Sequence, residues 1–238
     1  MRRRRSWAGP LAALVLLATV LWIAVEVGTW PAVGRLATER PATTAFIERY
    51  RAKQRAAGHP DRVAWAWTPY PAISPALKRA VLVAEDIGFF SHKGFALAEI
   101  QSAIEDAVRD REVPRGASTI TQQLAKNLWL SPSRSPLRKA REALLTWQLE
   151  RALSKRRILE LYLNVAEFGP GIYGVGAASQ RYFGKAAADL DEREAAQLAA
   201  ALPNPAVWHP GAASAAYRRH VSAIERRMGR AAFLWKQI

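Results

Sequence analysis

Glu85 heads the run Glu85-Asp86-Ile87-Gly88-Phe89-Phe90-Ser91-His92-Lys93-Gly94. About thirty residues later comes Gly116-Ala117-Ser118-Thr119-Ile120-Thr121-Gln122-Gln123, followed by Lys126, Asn127, Arg134, Arg138, Lys139 and Glu142. A carboxylate set against a polar and cationic wall suits chemistry on an anionic sugar donor. Adjacent positions on a helix point about 100° apart, so Glu85 and Asp86 cannot both face one substrate atom. One of them is expected to react and the other to hold local structure. His92, whose ring titrates near neutrality when unperturbed, is either a substrate contact and acid–base group or a hydrogen-bonded imidazole that orders the loop after Glu85. Lys126, Arg134, Arg138 and Lys139 place four cations beside an amide-rich segment, an arrangement suited to a pyrophosphate. Taken alone, the spacings Gln122/Lys126, Gln123/Lys126, Arg138/Glu142 and Lys139/Glu142 also describe an ordinary helix-surface ladder worth a few tenths of a kcal/mol per pair. With no cysteine, four histidines and no His-x-x-x-His pair, a zinc site is not expected.

These side chains need helices to hold them. Ser74-Pro75 supplies an N-cap and a first-turn proline, and Leu77, Val81 and Ala84 recur at i, i+4 and i+7, which predicts a helix delivering Glu85 near its C-terminal end. Further helices are expected over Thr119–Leu130, Pro136–Ser154 opened by Ser135, Lys155–Asn164 and Gly171–Phe183. Another opens at the Asp191/Glu194 capping pair and runs to Leu202, ahead of Pro203 and Pro205. The stretch Ala212–Ile238 carries Tyr217, Val221 and Ile224 on one face and Arg218, Arg219, Arg226 and Arg227 elsewhere. It is a basic amphipathic helix that either docks on the domain or lies near lipid headgroups. Trp65, Trp67 and Tyr70 are expected to pack at the entry to the domain. No strand alternation and no repeat is evident, so the fold class is mainly α.

At 238 residues the chain can build one hydrophobic core and a membrane segment. Its net charge is +15, and without Arg2, Arg3, Arg4 and Arg5 the remainder still carries 31 basic against 20 acidic residues. Such a field favours an anionic partner, and charge alone does not separate nucleic acid from an anionic membrane. The N-terminus separates them. Trp7–Val25 is nineteen residues without a charge, close to the length that spans a hydrocarbon core of about 30 Å. The arginines before it hold the N-terminus in the cytoplasm and place the chain beyond Val25 outside. Trp22, Ile23, Val25 and Glu26 make a poor cleavage site, so the segment is expected to stay as an anchor. The expected organisation is a basic tip and transmembrane anchor over 1–28, a juxtamembrane connector over 29–62 with a weak helix at Thr43–Arg55, and a catalytic domain over 63–238.

The order Glu-Asp-x-x-Phe-x-x-His-x-Gly, Gly-Ala-Ser-Thr-Ile-Thr-Gln-Gln, Arg-Lys-x-x-Glu and Ile-Leu-Glu-x-Tyr-Leu-Asn, running from about Pro71 to Pro205, closely resembles the peptidoglycan glycosyltransferases of family 51, which polymerise lipid II. Because only 33 residues follow Pro205, the chain resembles the monofunctional branch. The resemblance implies a lysozyme-like helical glycosyltransferase domain behind the N-terminal transmembrane helix. It implies a single-pass protein of the inner membrane with its catalytic domain in the periplasm. Lipid II, the growing glycan strand and the membrane are the implied partners, with room for proteins of cell-wall synthesis or division and none for nucleic acid.

The resemblance also assigns roles. Glu85 is the base and Asp86 the structural carboxylate. Lys126, Arg138, Lys139 and Glu142 line the donor site, with Ser118, Gln122, Gln123, Asn127 and Arg134 nearby, and Glu142 positions the donor or a divalent cation such as magnesium, although no cofactor is required. His92, Tyr162 and Asn164 belong to the substrate-binding set. Hydrolysing a glycosidic bond expels an alkoxide and needs a general acid, whereas pyrophosphate leaves as a stable anion, so one base and a cationic cradle suffice. Two positions depart from the family pattern: Ala96 stands where Asp is common and Gly176 where Glu is frequent. Two rivals make other predictions. A lysozyme-like glycan-cleaving enzyme, hydrolase or lytic transglycosylase, would shorten finished strands. A tethered basic protein without catalysis would be indifferent to Glu85 and would bind with a steep salt dependence.

Overall fold

The computed structural model describes residues 8–96, 118–133 and 135–238. It divides into two units, Met1–Ala32 and Val33–Ile238. The first holds helix α1, Ala8–Gly28, on which Leu14, Leu16, Leu17, Val20, Leu21 and Val25 are all exposed. Among the described residues no helix is long and apolar enough to cross a membrane.

The second unit is mainly helical. After a 3₁₀ turn at Val33–Ala37 come α2 (Ala45–Ala56), α3 (Pro75–Glu85), α4 (Ile120–Trp129), α5 (Pro136–Ala152), α6 (Lys155–Val165), α7 (Val175–Phe183), α8 (Glu192–Ala201) and α9 (Ala215–Arg230). The start signals act as local chemistry dictates. Thr119 and Gln122 form a capping box on α4, as Asp191 and Glu194 do on α8, and the hydroxyls of Ser135, Ser154 and Ser214 accept from the N3 amides of α5, α6 and α9. Ser74 differs from expectation. Its hydroxyl makes no cap and instead donates to the Leu190 carbonyl at 2.8 Å, fastening the start of α3 to the segment before α8.

Leu77, Ala80, Val81 and Leu82 of α3 are fully buried, and α3 packs against α8 and α9. Burying a Leu or Val in this way contributes about 1.5–3 kcal/mol each. Arg79 is buried too: its guanidinium pairs with Glu192 and lies 4.2 Å from the Trp235 ring centre, tying the C-terminal 3₁₀ turn Ala232–Lys236 onto α3. With Tyr217, Val221, Ile224 and Met228 buried, α9 is docked on the domain, leaving Arg218, Arg219, Arg226 and Arg227 exposed. From Val33 onward, the stretch expected as a connector packs within this second unit. Ile47 of α2 is fully buried, and Arg157 of α6 donates to the carbonyls of Leu36 and Glu39.

Three strands that the sequence did not announce form a small sheet in the order β1 (Ala64–Trp65), β3 (Ile172–Tyr173), β2 (Glu167–Gly169). β1 runs parallel to β3 and β2 antiparallel to it. Two- and three-residue strands are too short to show an alternation. The helix expected from Gly171 begins at Val175, because Gly171 and Gly174 adopt φ of 72° and 76°, outside helical backbone.

Candidate active site

Glu85 is the last helical residue of α3. Asp86 leaves the helix with φ −166° and ψ 77°, so the two neighbouring carboxylates diverge. Asp86 is buried, and its Oδ2 accepts the Ile120 N–H at 3.0 Å, satisfying a free amide in the first turn of α4. It also bonds His92 Nε2 at 2.9 Å. His92 Nδ1 accepts from the Gly94 N–H at 3.1 Å, so Nε2 carries the hydrogen shared with Asp86. The Thr119 hydroxyl donates to the Gly94 carbonyl at 2.8 Å. Asp86, His92, Gly94 and Thr119 thus join the end of α3 to the start of α4. Both ring nitrogens of His92 are used inside the protein, which favours the loop-ordering reading of this residue. Gly94, at φ 87°, has no room for a side chain: a Cβ there would sit 2.7 Å from Thr146 Cγ2.

The Glu85 carboxylate points elsewhere. Its Oε2 accepts from Gln123 Nε2 at 2.7 Å, and Gln123 Oε1 accepts from the Tyr162 hydroxyl at 2.9 Å. Burial pushes the Glu85 carboxyl above its ordinary value; the Gln123 hydrogen bond and the Lys126 charge pull it down, while Asp86 pushes it further up. A carboxylate so placed is a stronger proton acceptor than an exposed one, as a general base requires.

Lys126 stands one helical turn beyond Gln122 and Gln123. Burial pulls its pKa down most; Arg138 and Lys139 act in the same direction, against Glu142 and Glu85. Lys126 therefore lies within electrostatic reach of Glu85 and of the charges on α5. There Glu142 is buried and both of its oxygens are engaged, one by Arg138 and one by Lys139. Its carboxylate holds two cations in place, and among the described residues no three His, Cys, Asp or Glu stand together as a metal site. Asn127 is almost fully buried and its side chain makes no hydrogen bond among the described residues, and Ser118 is exposed with its carbonyl 3.4 Å from Gln123 Nε2. Arg134 lies outside the described residues.

Three expected substrate contacts are occupied otherwise. Gln122 Oε1 accepts from the Thr119 N–H at 3.0 Å as half of the capping box. Tyr162 is 1% exposed. Asn164 is fully buried, accepting from the Thr68 N–H at 2.6 Å and donating to the carbonyls of Thr68 and Glu160, each at 2.8 Å. The departure at Gly176 has a packing cause, since a Cβ there would meet Thr68 Oγ1 at 2.4 Å and the Ala66 carbonyl at 3.1 Å. Sequence reasoning missed Thr121, Glu150 and Lys155. Glu150 Oε1 accepts from Thr121 Oγ1 at 2.5 Å and Lys155 Nζ at 2.8 Å, and Lys155 Nζ sits 4.4 Å from the Phe89 ring centre, behind His92 and Asp86. Threonines on apolar helix faces, Thr121 and Thr146, were the available sign of a buried polar network.

Residues 53–229 match the family model described as Transglycosylase. The chain belongs to this family. It is 46% identical over 232 residues to the biosynthetic peptidoglycan transglycosylase of Thiobacillus denitrificans, an alignment covering 96% of this chain and 97% of that one. It is 48% identical over 209 residues to the protein of the same name from an Azoarcus species, covering 86% and 87%. A third such transglycosylase, from Aromatoleum aromaticum, is 52% identical over 166 residues, covering 69% and 72%.

Proposed function

We infer that the chain is a peptidoglycan glycosyltransferase that polymerises lipid II into linear β-1,4 glycan strands. The observation that carries this reading is the half-buried Glu85 carboxylate, held by Gln123 and within reach of Lys126 and the Arg138–Lys139–Glu142 cluster, in a member of the transglycosylase family. Glu85 takes the proton of the GlcNAc 4-hydroxyl of an incoming lipid II. That oxygen attacks C1 of the MurNAc at the reducing end of the growing strand, the C1–O bond to pyrophosphate breaks with inversion, and undecaprenyl pyrophosphate departs. Lys126, Arg138 and Lys139, with Arg134, take up the charge that develops on the leaving group, so no general acid is needed. Ser118 and Asn127 are the polar groups left to contact sugar or phosphate. Asp86, His92 and Gln122 hold the framework, and Glu142 holds the cations.

Residues 63–238 form the catalytic domain, of lysozyme-like architecture, with 29–62 leading into it and 1–28 as a single-pass inner-membrane anchor. The anchor reading is supported by the uncharged run Trp7–Val25, by Arg2–Arg5 ahead of it, and by the exposed apolar side chains of α1. The catalytic domain then acts on the periplasmic side. The test offers the purified chain two substrates in parallel: labelled lipid II, and finished glycan strands free of lipid. Growth of polymer from the first and no shortening of the second is expected. Shortening of finished strands without use of lipid II would replace this reading by a glycan-cleaving one.

A further inference from the structure

Glu85 is reached by two hydrogen bonds in series that begin at a side chain with no access to substrate. Tyr162 is buried on α6; its hydroxyl donates to Gln123 Oε1 at 2.9 Å, and Gln123 Nε2 donates to Glu85 Oε2 at 2.7 Å. A carboxamide has two ends, and the one that faces a carboxyl group selects its protonation state. An N–H toward Glu85 favours the carboxylate, whereas a carbonyl would accept the O–H of the acid and favour that form. Among the described residues the Tyr162 hydroxyl has no other acceptor. Turning the amide over would set two donors against each other and leave a buried hydroxyl proton unpaired.

We propose that Tyr162 is a positioning residue which, by donating to Gln123 Oε1, keeps the carboxamide N–H turned toward Glu85 and so keeps Glu85 ready to accept a proton. This rests on the reading of Glu85 as the base, and it gives Tyr162 a role other than contact with substrate. The other groups facing Glu85 are Asp86, with His92 behind it, on its own segment, and Lys126 from α4. Beyond Lys126 lie Arg138, Lys139 and Glu142 of α5. These charges are unchanged when the tyrosine hydroxyl is removed, so they set a common background for wild type and variant.

The test is the pH dependence of kcat/KM for lipid II polymerisation by the full chain, for wild type, Tyr162→Phe, Gln123→Met and the double variant, with thermal unfolding measured alongside. Tyr162→Phe removes one oxygen and frees the amide to turn. The acid limb is expected to move to higher pH, kcat to fall more than KM changes, and activity to recover as pH is raised. Each unit of displacement lowers the rate about tenfold below the limb. Gln123→Met is expected to displace the limb in the same direction, and adding Tyr162→Phe to it to change nothing further. An unmoved acid limb in either single variant, or losses that multiply in the double variant, would overturn the proposal. Glu85→Gln in the same assay separates the two levels. If it still polymerises, the reading of Glu85 as base has failed; if it is inactive while the limb of Tyr162→Phe stays put, only the role of Tyr162 has.

Discussion

Around Glu85 the polar side chains are already engaged with one another: Gln123 with Glu85 and Tyr162, and Asp86 with His92 and the Ile120 amide. Around Lys126 the arrangement is looser. The side chains of Lys126 and Asn127 make no hydrogen bond among the described residues, and Lys139, though paired with Glu142, is half exposed. The difference stems from what each half must do. A base has to be aimed before its proton arrives, because a misplaced acceptor forfeits the rate gained by orientation. A cationic cradle has to accept an anion that enters and then leaves, so the Lys126 ammonium is best left without an internal partner to compete, while Glu142 holds Arg138 and Lys139 in place.

The contrast can be broken most sharply at Glu85. Glu85→Gln keeps the shape of the side chain and removes the base, and polymerisation should fall by about 10²–10⁴ while circular dichroism is unchanged. At the other half, Lys126→Ala should lower kcat by about 10²–10³, the loss typical of removing one donor to a developing anion. If Lys126→Ala instead raised KM and left kcat alone, its charge would serve ground-state binding. The supporting framework should respond in stability. Asp86→Ala leaves the Ile120 amide and His92 without their acceptor and should cost about 1–3 kcal/mol in a denaturant titration.

The smallest effect sharpens the comparison through pH. Burial holds the Glu85 carboxyl above its ordinary value of 4.5, so above that value the unfolded chain has released a proton that the folded chain still favours. Ionising Glu85 therefore costs stability as pH rises through the folded pKa. Glu85→Gln should melt higher than wild type at neutral pH, and the advantage should vanish below about pH 4. A variant that melts lower at every pH would mean that the carboxylate is held by more than Gln123 and Lys126.

Much of the frame was legible in the sequence because helix signals are local. Ser135-Pro136, Asp191/Glu194 and the spacing of Leu77 and Val81 each report their own turn of chain, and α3, α5 and α8 begin where these residues place them. That Glu85 and Asp86 diverge could be expected from the 100° step of a helix, although the turn that separates them is made by Asp86 leaving the helix. What sequence could not supply was the long-range pairing of buried polar groups. Nothing near Tyr162 announces Gln123, thirty-nine positions away, and Asn164 and Thr68 are separated by ninety-six. A buried tyrosine or asparagine in a motif is as compatible with holding the fold as with holding a ligand, and only geometry separates the two. The sheet was hidden for a different reason: strands of two or three residues take their identity from their neighbours.

The central claim is that Glu85 takes the acceptor's proton. It is tested most directly by the polymerisation rate of Glu85→Gln on labelled lipid II, read beside wild type at matched folding. Loss of about two orders of magnitude or more is the predicted result, and a variant that lengthens strands at the wild-type rate would contradict it.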